Sequence, residues 1–163
     1  MLLPIHIILL ELIVHPISAY VFENIHENTQ LKNKTLMSRS TFIESVISGS
    51  LLSLFSLIIF THYSASLGTN MARALALVCI LIGNIGLVVN ETFPVMTRRL
   101  GVTILLLVLL SVIMTTFEPA ARVFHLDVCS IQSILYASAL GLLSSFPIFL
   151  VRWLKHRKRK TII

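Results

Sequence analysis

Glu11 and His15 lie four residues apart in the stretch LLPIHIILLELIVHPISAYVFEN. On a helix that spacing puts a carboxyl and an imidazole on one face, one turn apart. Ser18 continues the same face. Pro16 follows His15; its ring has no N–H, so the carbonyl of Leu12 loses its helical donor. A carboxylate, an imidazole and a bare carbonyl together can hold a cation or pass a proton. Asn84 adds an amide from a second apolar run, flanked by Gly83 and Gly86. Glu11, Leu12, His15 and Asn84 are therefore the candidate ion-pathway residues. Glu11 and His15 are the candidate metal ligands, and Pro16 is the helix-breaking residue beside them.

The setting makes these groups costly. Glu11 stands about ten residues into its apolar stretch, or about 15 Å along a helix rising 1.5 Å per residue, which is the middle of a hydrocarbon layer about 30 Å thick. Insertion scales put a central acid at about 2.5 to 3.5 kcal/mol. Such groups face a bundle interior or a polar cavity, where broken backbone is also tolerated. Two readings stay open for each. Glu11 and His15 form part of an ion path, or they form a buried structural pair. Asn84 lines the same path, or it is interhelical glue worth under about 1 kcal/mol.

The elements that must position these residues are membrane helices. Of the 163 residues, 56% are hydrophobic and only 12% charged, against about 25% charged in soluble domains. A spanning helix needs about 20 mainly apolar residues. Five stretches qualify, at about 2–22, 41–61, 72–89, 100–117 and 131–151. The expectation is an all-α, polytopic bundle of five transmembrane helices forming a single domain over 1–163. The largest polar connection, 23–40, reads as a solvated loop, and EPAARVFHLDVCS reads as an outer loop with Val123, Phe124 and Leu126 in the interface.

Charge sets the orientation. If the helices alternate, Lys32, Lys34, Arg39, Arg98, Arg99, Arg152, Lys155, Arg157, Lys158, Arg159 and Lys160 share one side, and only Arg73 and Arg122 fall on the other. That is the positive-inside asymmetry, which places the N-terminus outside and the C-terminus in the cytoplasm. The net charge of +6 thus reflects topology, and nucleic acid is not expected as a partner. The tail RWLKHRKRK, with Arg152, Lys155, Arg157, Lys158, Arg159 and Lys160, is expected to meet the anionic inner leaflet, at about 1 kcal/mol of attraction per basic residue, with Trp153 as an interfacial anchor. The first stretch is not a signal peptide: it lacks a basic n-region and a small-residue cleavage site, and it holds Glu11. Its outward start with no upstream positive charge is what a helix that normally follows another would show.

Small residues recur every fourth position at Ser45, Gly49 and Ser53 and again at Ala137, Gly141 and Ser145, while Gly83 and Gly86 thin a third helix. Such spacing lets helix backbones approach closely. Cys79 and Cys129 are too few and too separated in depth for a disulfide framework or a metal site, and they read as small apolar fillers.

With these features in place, the chain resembles the C-terminal membrane region of P-type cation-transporting ATPases, the last five of ten helices. LLPIHIILLELIVHPISAYVFE is similar to the family's sixth helix, whose Leu-Pro opening it shares. The resemblance puts Glu11 at an Asn position, Val14 at a Thr position and His15 at the ion-binding Asp position. MARALALVCILIGNIGLVVN resembles the eighth helix, with Asn84 where the family has Glu or Gln. FEPAARVF resembles the outer loop before the tenth helix. The resemblance implies an N-out first helix here and a cytoplasmic end, in agreement with the charge pattern. It also implies a transported cation, although His15 in place of Asp leaves the ion unnamed, since a divalent cation would compete with the imidazole's proton.

The family's phosphorylation motif DKTGT, its TGE loop and its GDGxND motif do not occur in this sequence. By itself the chain is not expected to hydrolyse ATP; ATP and Mg belong to a complete pump, and the chain needs no cofactor of its own. The expectation is a fragment, or a split or truncated pump, lodged in the cell membrane with membrane lipid and the missing N-terminal pump portion or a partner subunit as its partners. The alternative is a stand-alone small multi-pass membrane protein acting as a regulatory partner or minimal ion channel. DNA upstream of Met1 encoding the missing motifs separates the two. A membrane enzyme is disfavoured, because no His/Asp set clusters toward one aqueous side.

Overall fold

The structure is a computed structural model that describes residues 5–7, 10–11, 39–92 and 98–160. Among these every regular element is helical. Five helices follow the short N-terminal helical residues: α1 (Arg39–Ser66), α2 (Thr69–Thr92), α3 (Arg98–Thr116), α4 (Glu118–Val123) and α5 (Ile131–Lys160). Three carry segments long and apolar enough to cross a membrane, at Phe42–Ser66 of α1, Thr69–Asn90 of α2 and Ile131–Val151 of α5. The expected span at 2–22 falls largely outside the described residues. The expected loop at 23–40 does so up to residue 38, and α1 already begins at Arg39.

The helices outrun the apolar stretches. A hydropathy count stops at the hydrocarbon edge, whereas the backbone goes on satisfying its own N–H and C=O groups into the interface. Hence α1 runs five residues past Thr61 to Ser66, and α5 carries the basic tail as helix to Lys160. Gly68, at φ +92, turns the chain between α1 and α2, a left-handed conformation that glycine adopts without a Cβ penalty.

The centre of the bundle is α2. Ala72, Leu75, Val78, Cys79, Leu81 and Ile82 are all buried. It packs most heavily on α5, then on α1, and only lightly on α3. In lipid, tails are as apolar as leucine, so packing and polar contacts hold helices together, not withdrawal from water. The glycines show how. A Cβ on Gly83 would collide with Leu52 Cδ1 of α1, so that leucine fills the space the glycine leaves. A Cβ on Gly141 of α5 would lie 2.5 Å from the Cys79 carbonyl oxygen and 3.1 Å from Gly83 N. A Cβ on Gly86 would meet Ser145 Oγ at 2.7 Å. The expected small face Ala137–Gly141–Ser145 is buried on α2 accordingly. The matching expectation for Ser45, Gly49 and Ser53 is corrected: all three are exposed, and nothing stands within 4 Å of a Cβ on Gly49. The side of α1 that packs is Ser48, Leu52 and Ile59, because the thin face of α2 receives a bulky knob better than another thin face.

The outward faces suit lipid. Leu54, Leu57 and Ile58 on α1, Leu105 and Leu109 on α3, and Leu135, Leu142 and Phe146 on α5 are exposed. Buried hydroxyls are turned back on their own helices: Ser144 Oγ donates to Gly141 O at 2.6 Å, Ser145 Oγ to Leu142 O at 2.8 Å and Thr115 Oγ1 to Ser111 O at 2.9 Å. Among the described residues, Ser48 Oγ is a buried oxygen that finds no partner.

Candidate functional site

The N-terminal helical residues carry Glu11, which is exposed, and Leu10, which packs against the core. Leu12, His15 and Pro16 lie outside the described residues. Asn84 sits near the middle of α2, half-buried. Its Nδ2 donates to Ile80 O at 2.9 Å, one turn back on its own helix. That bond gives the amide N–H an acceptor without any neighbouring helix, and its Oδ1 remains an acceptor by the ordinary inventory of an amide. Among the described residues no three His, Cys, Asp or Glu side chains gather as a metal cage.

Two polar contacts between elements were not singled out by spacing. On α2, Asn90 Nδ2 donates to the Ser145 carbonyl of α5 at 2.9 Å. This bond lies two residues before Pro147, which stands inside α5 and leaves the Leu143 carbonyl without its helical donor. An amide therefore braces α5 next to its proline break. The Asn-Glu pair at positions 90 and 91 reads in sequence only as the polar end of a helix.

The second contact lies at the other end of the bundle. α4 ends in a built turn. His125 N donates to Arg122 O at 3.1 Å and Leu126 N to Ala121 O at 2.9 Å, with His125 at φ 51. This is a Schellman closure with His125 at its left-handed position and Leu126 buried over Ala121. Cys129 N then donates to Thr115 O at 3.0 Å, which seats the connection on the end of α3. Cys129 is buried, and burial, followed by the Asp127 carboxylate, pushes its thiol up to about 11. The expected outer loop is thus half helix, and of the three apolar residues expected in the interface Leu126 is buried, Phe124 half-buried and Val123 exposed. His6, fully buried, reaches this turn: its Nε2 lies 2.7 Å from Phe124 O. A carbonyl only accepts, so Nε2 carries the proton. A lone histidine two residues after Pro4 gives no signal in sequence that its partner lies 118 residues away.

Comparison with known proteins gives one finding. The family model described as cation transporting ATPase, C-terminus, matches residues 1–155. The chain belongs to this family. No curated protein and no solved structure matches it. Membership in the cation-ATPase C-terminal family, together with three membrane-length helices, makes the chain an integral membrane protein of cation-transport type. The matched residues run from before His6 and Glu11 through α2 and into the basic end of α5, so LLPIH, Asn84 and FEPAARVF all fall within one continuous match.

Proposed function

We propose that this chain lines part of the ion pathway of an ATP-driven cation pump and works with a phosphorylating portion whose motifs do not occur in these 163 residues. The observation that carries the reading is the family match over 1–155 on a chain with three membrane-length helices. In this reading the N-terminal residues form a helix that crosses from outside, α3 also spans, and five crossings end in the cytoplasm of the cell membrane. The thirteen Lys and Arg residues, split eleven to two, support that orientation. Glu11 and the Leu12 carbonyl, opened by Pro16, coordinate the cation, and His15 exchanges a proton against it. Asn84 supplies an acceptor from α2. The exposure of Glu11 fits a side chain whose remaining neighbours belong to other helices of the pump. The basic end, Arg152 to Lys160, meets anionic lipid.

Two measurements test this. Reporter fusions after Lys34, Arg99 and Lys158 should all read cytoplasmic; an external signal at any of them refutes the topology. In the assembled pump, Glu11→Gln and His15→Asn should each abolish ion-dependent phosphorylation while expression holds. Unchanged transport in both variants leaves Glu11 and His15 as a structural pair.

A further inference from the structure

The Phe124 carbonyl is the last of α4, one of the orphan acceptors that every helix end leaves. The Schellman bonds go to Ala121 and Arg122 and do not use it as an acceptor. It accepts its hydrogen bond instead from His6, which is fully buried in the helical residues 5–7, five positions before Glu11. The residue next to Phe124 is in the left-handed region, where only specific closure keeps a residue with a side chain. The turn is fixed from three sides: Leu126 beneath it, Cys129 N on Thr115 O, and His6 from the N-terminal segment. The N-terminal segment therefore cannot shift along its axis or turn at this end without giving up a part-buried hydrogen bond or dragging residues 117–130 with it.

We infer that His6 is a positioning residue, a latch that ties the outer end of the Glu11-bearing segment to the α4 turn and keeps that turn seated. What the latch does for transport rests on the ion-pathway reading above; whether it exists does not. In a working pump, a movement of the first segment that opens the path on this side must break the His6–Phe124 bond or carry the α4 turn with it. A closed path keeps the bond.

The chain carries its own reporters. Cys129 stays buried only while the turn is seated, and Cys79, wholly buried in α2, reports the core. In lipid nanodiscs both membrane faces are open to a charged maleimide, so orientation does not enter. Peptide mapping by mass spectrometry gives a labelling rate for each thiol at pH 7.5. The thiolate is the nucleophile, so a Cys129 thiol falling from about 11 back toward its ordinary 9.0 reacts up to about 100-fold faster. His6→Leu should raise Cys129 labelling at least tenfold and leave Cys79 slow. His6→Gln, whose amide nitrogen can occupy the place of Nε2, should hold Cys129 within about threefold of wild type. Wild-type rates at Cys129 in His6→Leu overturn the latch. So does a parallel rise at both thiols that His6→Gln fails to prevent, since His6 would then hold the whole fold and not the turn.

Discussion

Adding one methyl group at Gly141 tests how α2 and α5 are held. The Cβ of Gly141→Ala would lie 2.5 Å from the Cys79 carbonyl oxygen, 3.1 Å from Gly83 N and 3.3 Å from the Cys79 carbonyl carbon. All three are backbone atoms of α2, so no side chain can swing aside, and relief requires the two helices to part by about an ångström. A gap of that size forfeits a quarter to a half of each dispersion contact along the seam, and overpacking of this kind costs about 1 to 3 kcal/mol. Alanine favours a helix over glycine by about 1 kcal/mol, which offsets part of that. The net expectation is a loss of about 0 to 2 kcal/mol, or about 1 to 3 kcal/mol relative to a Gly→Ala change that gains the same propensity without the clash. Gly49→Ala is the internal control, because its Cβ meets nothing within 4 Å; it should be neutral or slightly stabilising. Reversible unfolding in mixed micelles with rising SDS reads both. If Gly141→Ala is as stable as Gly49→Ala, the close approach of α2 and α5 is not what holds the bundle.

Two further outcomes follow from polar groups in the core. Ser48→Ala should stabilise the chain by about 1 kcal/mol in the same titration, because it removes a buried hydroxyl that finds no partner; a loss of stability would mean that the hydroxyl is satisfied. Asn90→Val should cost about 0.6 kcal/mol and no more than about 1.7, the range for interhelical hydrogen bonds in membranes, since Asn90 braces α5 at Ser145 O; no change would make the brace incidental.

Apolar runs were enough to place α1, α2 and α5, because in lipid a helix is the one open segment that satisfies its own backbone. Which side of each helix meets a neighbour was less legible. Ala137, Gly141 and Ser145 turn inward, but Ser45, Gly49 and Ser53 follow the same spacing and turn outward. Spacing tells that a face is thin, not what will lie on it, and Leu52 over Gly83 decides the matter only in three dimensions. The α4 closure was hidden for another reason. Its left-handed position holds His125 where a glycine would have announced the turn. At the candidate site, the residue types of Glu11 and Asn84 were legible, and so was the place of Asn84 inside an apolar helix. Sequence could not show that Asn84 turns its donor to Ile80, since an amide in an apolar run looks the same whether it binds its own helix or another. His6 carried no warning because its partner is fixed by tertiary packing alone.

The burial of α2 also bears on how the chain is made. The glycines of its thin face wait for Gly141, 58 residues after Gly83 in the sequence. At about 5 to 20 residues per second, synthesis of that interval takes roughly 3 to 12 seconds. During that time α2 is in the membrane while its main partner is still being translated. Its grooves must be covered by lipid, by α1 through Leu52, or by whatever escorts nascent membrane helices. A pause in translation between α3 and α5 would lengthen that interval and should increase degradation of this chain more than an equal pause after α5 is complete.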